Sequence, residues 1–328
     1  MARPKKVEKT SISNNIFLNA LDFVSEIAKD KGTPQQTNCV INNGYLVQSN
    51  GMTSMGYPVG DLPNVNPHTL NTLAALRLCN AETSMTVMES KLVVRSGKFS
   101  AQIECLPDMP TIQPGRAVVP LGPEFTEALE QVSPFSVEDA KKVVLASILT
   151  KGGCLCSSDS IVIIQAYHGC NLPEMVLPKS FVTAILNTGK PITQFGYSGN
   201  TCTIWFADNS WIKAQLYAEQ WPDIDVILNK KFKAEPPPED FYKALAAIQP
   251  FSKSGNVYFE DGCLRSHRSK DEGAEYNCAG IMKGPCFNIK ELKRISKLIY
   301  TVDFYSHNCM YFYSEDNKTR GALMGIRG

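Results

Sequence analysis

The sequence predicts an α+β protein of three repeated domains, each made of two halves in which one helix is followed by an antiparallel meander of strands. Three observations carry this. Glycine-led segments recur at about one third of the chain, and six helix-period segments follow one another at similar intervals. The stretches between them alternate or run apolar over four to eight residues, punctuated by Gly, Asn, Asp and Ser.

The glycine-led segments are Gly44-Tyr45-Leu46-Val47-Gln48-Ser49-Asn50-Gly51, Gly153-Cys154-Leu155-Cys156-Ser157-Ser158-Asp159-Ser160 and Gly255-Asn256-Val257-Tyr258-Phe259-Glu260-Asp261-Gly262. Each has an apolar residue two positions after the Gly and an Asx six positions after it, followed by Gly or Ser. The glycines lie 109 and 102 residues apart. A strand closed by Asn-Gly or Asp-Gly is a hairpin signal, because a tight turn that matches strand twist needs positive φ. A second pair agrees on the period: Phe99-Ser100-Ala101-Gln102-Ile103 leads to Pro110 after a Ser96-Gly97 turn, and Trp211-Ile212-Lys213-Ala214-Gln215-Leu216 leads to Pro222 after Asp208-Asn209.

Helices are expected over residues 15–29, where Ile16, Phe17, Ala20, Val24 and Ile27 share a face, and over 67–78, where Pro67 suits a first turn. The next four are 123–132, 178–186, 238–248 and 288–299. Their anchors Phe17, Leu70, Phe125, Phe181, Phe241 and Leu292 are 53, 55, 56, 60 and 51 residues apart. Strands are expected at 92–95, 143–149, 161–166, 201–206, 257–259 and 310–313. Boundaries near Pro120-Leu121-Gly122 and in the charged, proline-rich connector 230–238 give domains 1–121, 122–233 and 234–328.

The chain has 328 residues, of which 43% are hydrophobic and 20% charged, enough apolar material for folded cores. No run approaches the roughly 18 apolar residues of a membrane span. Met1-Ala2-Arg3-Pro4-Lys5-Lys6 leads into no signal core, so a cytoplasmic protein is expected. Its 11 cysteines then read as buried apolar residues in a reducing compartment. Lys+Arg 33 against Asp+Glu 32 means that any nucleic-acid contact must come from local segregation of charge.

Val176-Leu177-Pro178-Lys179-Ser180-Phe181 resembles the Leu-Pro start of a mid-domain helix in the DNA sliding clamps of the bacterial DNA polymerase III beta subunit type. Leu216-Tyr217-Ala218-Glu219-Gln220-Trp221-Pro222-Asp223 is similar to that family's aromatic-Pro-Asp passage into the next domain, with Leu106-Pro107-Asp108-Met109-Pro110 as a weaker counterpart. Ala322-Leu323-Met324-Gly325-Ile326-Arg327 resembles its apolar, Met-containing tail. The resemblance extends from about Ser11, and the short chain fits a compact, phage-like version. It implies a processivity factor: helices line a ring, sheets lie outside, and two copies of the chain enclose double-stranded DNA. Edge strands of the first and third domains would pair across a head-to-tail homodimer. It also implies no catalysis, no cofactor and no metal. A partner pocket would use Leu155, Ile161, Leu323, Met324 and Ile326 to take peptides from a DNA polymerase or clamp loader.

Sliding requires phosphate contacts rather than base readout. In 288–299, Lys290, Lys293, Arg294 and Lys297 fall at i, i+3, i+4 and i+7, opposite Ile289, Leu292, Ile295 and Ile299, a basic stripe backed by an apolar one. Arg77, Lys179 and Lys243 occupy polar positions in three other helices. An ordinary solvated face competes with this reading, and Glu124, Glu127 and Glu130 give helix 123–132 the wrong sign for DNA. Cys154, Cys156, His168 and Cys170 offer a zinc set, with Cys263, His267 and Cys278 a looser one; core cysteine is the better reading. His68, His168, His267 and His307 have no nucleophile or carboxylate motif beside them, and no Gly-rich phosphate loop is present. The rivals to a clamp are therefore a Cys/His metal-dependent nuclease or hydrolase and a ring-forming structural protein.

Overall fold

Turns at Asn-Gly, Gly-Gly and Asp-Gly steps set the strand pairing, and the helices supply the large apolar residues that cover the sheets. The computed structural model describes residues 9–10, 14–60, 62, 64–80, 83–88, 90–137 and 141–326. The leader reading at 1–6, Ser11 and Arg327 lie outside them.

Among the described residues six helices of seven or more residues overlap the expected segments: α1 Asn14–Ser25, α2 Thr69–Arg77, α3 Pro123–Val132, α4 Lys179–Asn187, α5 Phe241–Ile248 and α6 Ile289–Ile295. However, α1 ends ahead of Ile27, and α2 starts after Pro67, at a His68 cap. Phe17, Phe125, Phe181, Phe241 and Leu292 are buried as expected. Leu70 is only half-buried, and Leu73 and Leu76 fill the core instead. Helix α6 is shorter than expected. It starts at the Asn288 cap, whose side-chain oxygen accepts from Lys290 N and Glu291 N, and gives way to a 3-10 turn at Ser296–Leu298. Residues 143–146, expected in a strand, form another 3-10 turn, with Leu145 N bonded to Lys142 O; the strand begins at Ser147. An unbroken apolar run fits either conformation.

The chain divides into two compact units, one of residues 1–126 and 177–218, the other of 127–176 and 219–328. The first holds a four-stranded sheet in the order Lys9–Thr10, Thr83–Met88, Lys91–Ser96, Phe99–Glu104. Its seven-stranded sheet runs Val40–Asn42, Tyr45–Ser49, Thr53–Pro58, Trp211–Gln215, Thr201–Phe206, Ile192–Ser198, Val119–Pro120. The second holds a seven-stranded sheet in the order Met175–Pro178, Ser147–Lys151, Cys154–Ser158, Val162–Tyr167, Thr319–Met324, Cys309–Tyr313, Thr301–Asp303. Its four-stranded sheet runs Glu275–Asn277, Cys263–Arg265, Asn256–Glu260, Cys286–Asn288.

The strand order repeats three times, and it corrects the register read from the glycines. Val40–Asn42, Tyr45–Ser49 and Thr53–Pro58 form a meander whose first strand also meets Val65. Ser147–Lys151, Cys154–Ser158 and Val162–Tyr167, with Met175–Pro178 on the outside, repeat it. So do Asn256–Glu260, Cys263–Arg265 and Glu275–Asn277, with Cys286–Asn288 outside. Gly44 and Gly153 precede second strands, whereas Gly255 precedes a first strand; the true counterpart is Gly262. The three have φ of 76, 74 and 77°, and both intervals become 109 residues. In a meander each hairpin repeats the same glycine-strand-turn pattern, so a match can slip by one strand.

Two joints within the chain are also equivalent. The third strand of the first meander pairs with the last strand of a later sheet half, from Thr53↔Ala214 to Gly56↔Trp211. The second meander does the same, from Val162↔Leu323 to Ala166↔Thr319. In the four-stranded sheets the corresponding edges, Glu275–Asn277 and Phe99–Glu104, have no strand on their outer side among the described residues. Among those residues, no helix is long and apolar enough to cross a membrane.

Candidate functional site

Four of the six helices carry Lys or Arg, and the cations differ in what already engages them. Arg77, at the C-terminal end of α2, donates to Asp22 at 2.6 Å, with both side chains about half exposed. Lys243 on α5 meets Asp240 at 3.0 Å, and this partner holds its ammonium above the ordinary lysine range. Lys179 opens α4 and is half-buried. On α6, Lys290, Lys293 and Lys297 are exposed, Lys293 donating to Gln249 Oε1 and Lys297 standing in the following 3-10 turn.

Arg294 departs from the expected stripe. Its guanidinium donates to Asp159, lies 2.7 Å from Glu291 and sits over the Phe135 ring, 4.6 Å from the centroid. Two carboxylates and an aromatic face engage the group expected to reach phosphate, whereas Lys290, Lys293 and Lys297 are exposed. Spacing alone placed Arg294 with the lysines. It could not report the carboxylate at Asp159, far away in sequence. Glu124, Glu127 and Glu130 on α3 are all exposed.

A groove of about 550 Å³ lies in the second unit, lined by Ile161, Asn288, His307, Asn308, Cys309, Met324, Gly325 and Ile326. Ile161, Met324 and Ile326 are 45%, 56% and 38% exposed, a concentration of apolar surface that soluble proteins reserve for contacts. The other two residues expected here are not in its wall. Leu155 and Leu323 are fully buried, one on Cys154–Ser158 and the other on Thr319–Met324, paired with both Val162 and Met310.

Backbone contacts fix the groove's shape. Met324 N donates to Ile161 O, Gly325 N to Asn308 O and Ile326 N to Cys286 O, so the tail is stitched to three segments. His307 and Asn308 both have positive φ, a conformation that costs non-glycine residues energy and needs support. Asp303 anchors the segment leading into them by accepting from Tyr305 N at 2.8 Å, Ser306 N at 3.1 Å and Ser306 Oγ at 2.6 Å. A Cβ at Gly325 would stand 2.6 Å from Asn308 O, so the tail passes only as glycine there. The Asn288, His307, Asn308, Cys309 and Gly325 walls carry no sequence signal. Loop residues meet there only because distant strands pair.

The Cys/His set forms no such site. Cys156 is fully buried, and burial pushes its thiol up to about 12. His168 Nδ1 accepts from Cys170 N at 3.1 Å, and burial lowers its imidazole to about 4. Among the described residues no three His, Cys, Asp or Glu side chains converge to hold a metal.

Comparison of the whole fold with solved structures decides its type. A DNA polymerase sliding clamp from Pseudomonas aeruginosa superposes with a TM-score of 0.78 at 12% identity, covering 98% of this chain and 99% of that one. The chain has the bacterial sliding-clamp fold. A beta sliding clamp from C. crescentus gives a TM-score of 0.80 at 15% identity over 98% of this chain and 100% of the other. A Helicobacter pylori beta clamp described as bound to a DNA ligase peptide gives 0.76 at 16% with the same coverage. No family model and no curated protein matches the chain. The clamp fold is thus retained at identities where ordinary sequence comparison finds nothing.

Proposed function

We propose that this chain is a DNA sliding clamp, a processivity factor that encircles duplex DNA without reading its sequence and tethers a polymerase and other replication proteins. The observation that carries this is the clamp fold over 98% of the chain and 99–100% of the solved clamps compared. The domains of this reading are 1–121, 122–233 and 234–328. The clamp performs no chemistry and needs no cofactor. A cytoplasmic, phage-like clamp belongs to the same reading.

Lys290, Lys293 and Lys297 supply most of the phosphate contact, with Lys179, Lys243 and Arg77 adding to it. The exposed Lys243 and Arg77 pairs are weak enough for phosphate to displace their carboxylates. Two copies close the ring by repeating between chains the joint found twice within one, with Phe99–Glu104 of one copy pairing with Glu275–Asn277 of the next. Symmetric closure then leaves no free edge. The groove at Ile161, Met324 and Ile326 takes short apolar peptides from polymerase or loader.

The test is light scattering joined to retention on DNA. A dimer that stays on nicked circular DNA and is lost when the circle is cut fits a ring. A monomer, or binding indifferent to that cut, refutes it.

A further inference from the structure

We infer that Arg294 and Asp159 form a latch that positions the Ile161 wall of the peptide groove, so that Arg294 serves partner binding rather than DNA contact. The inference rests on the peptide-groove reading above.

Asp159 sits at the turn between Cys154–Ser158 and Val162–Tyr167. One of its oxygens accepts from Ile161 N at 2.9 Å and from Val162 N at 2.8 Å, while the other accepts from Arg294 Nη2. The turn passes through Ser160 at φ 77°, a conformation that a non-glycine residue holds only when its surroundings enforce it. Ile161 O in turn accepts from Met324 N. Ile161 is therefore gripped on its N–H side by Asp159 and on its carbonyl side by the tail, and its exposed side chain meets Met324 and Ile326 in the groove wall.

The Asp159 side chain is 8% exposed and that of Glu291 12%, so the pair is shielded from water on the carboxylate side. Arg294 is held by a second carboxylate and by stacking on Phe135, which fixes its planar fork. Asn288, the cap of α6, lines the same groove, so the helix that aims Arg294 also carries part of the wall. Withdrawing Arg294 removes the partner of one Asp159 oxygen and leaves the other to hold the turn alone. Relaxation of Ser160 would then carry Ile161 out of its place.

The probe is the DNA ligase peptide of the Helicobacter pylori complex, labelled and titrated into full-length protein. Arg294→Ala should weaken the peptide about tenfold, and Arg294→Lys, which lacks the planar fork, nearly as much. Asp159→Asn keeps an acceptor for the turn and should also weaken it. The double variant Asp159→Asn with Arg294→Ala should lose little more than either single one, the sign of one coupled unit. The salt dependence of duplex binding should be unchanged in all of them, a readout that separates the latch from a phosphate contact. Met324→Lys serves as the control for the groove itself. If it abolishes peptide binding while the Arg294 and Asp159 variants bind normally, the latch is wrong and the groove stands. If Met324→Lys binds normally, the groove reading falls first. A flattened salt slope with intact peptide affinity in Arg294→Ala would return Arg294 to the DNA-facing set and overturn the inference.

Discussion

The joint repeated within the chain makes the ring testable at one residue, Ala101. The segments 99–103 and 211–216 place Ala101 in register with Ala214, and the strand pairing places Leu323 at the same position, since Thr53 and Val162 both open the third strand of their meanders. Ala214 pairs with Thr53 and Leu323 with Val162, and both are almost fully buried, at 2% and 0% exposed. Ala101, on the strand without an outer neighbour, is half-buried. The two internal joints contain four and five residue pairs, so a third of that size would hold about four or five interstrand hydrogen bonds at about 1 kcal/mol net each. Ala101→Asp places an unpaired carboxylate in this joint, a cost of at least about 3 kcal/mol once water is excluded, or about a 100-fold rise in the dimer Kd. Ala101→Ser keeps the volume small and serves as the control. Sedimentation equilibrium over nanomolar to micromolar protein reads both, with circular dichroism to verify folding. A folded Ala101→Asp protein with the parental dimer Kd would show that Phe99–Glu104 is not the joining edge.

Replacing Lys290, Lys293 and Lys297 with Ala should lower the slope of log affinity against log salt by up to about 2.7 per chain, about 0.9 for each phosphate no longer neutralised, equally on unrelated duplexes; an unchanged slope removes α6 from the DNA-facing set. Leu323→Ala should cost about 2–5 kcal/mol of stability in denaturant melts, because Leu323 is core, whereas Met324→Lys should leave the melt unchanged and remove peptide binding; equal melts for the two would contradict the division between core and groove. His168, whose folded value is lowered by burial to about 4 from an ordinary 6.5, binds a proton more readily unfolded. Its contribution is therefore complete above pH 6.5 and lost as pH falls toward 4. His168→Gln should flatten the pH dependence of stability in that window, and an unchanged profile would assign the acid sensitivity elsewhere.

Helix period and turn residues were the legible part of the sequence. Phe17, Phe125, Phe181, Phe241 and Leu292 recur because each half needs one large apolar side chain to cover its sheet, and that need is written locally. Register was less legible, as Gly255 shows, because successive hairpins of a meander look alike. The groove was half legible. Met324 and Ile326 stood out as an apolar tail, but Leu323 between Val162 and Met310 is hidden by strand pairing that no local pattern encodes. What engages Arg294 was illegible for a related reason: helical spacing fixes which face a residue shares, and a carboxylate from another hairpin decides what that face meets.

The place of Thr319–Met324 in its sheet has a consequence for how the chain is made. Its neighbours on the two sides are Val162–Tyr167 and Cys309–Tyr313, so a central strand emerges from the ribosome about 150 residues after the strand it must join. At synthesis rates of about 5–20 residues per second, the edge of Val162–Tyr167 stays open for about 8–30 s. It is five-sixths buried in the finished fold, with only Tyr167 exposed. For that interval it is an apolar, unpaired template that can recruit the same strand from a neighbouring nascent chain. Slowing translation beyond residue 167 should therefore lower the yield of soluble protein, and supplying the 309–324 hairpin as a peptide during synthesis should restore it.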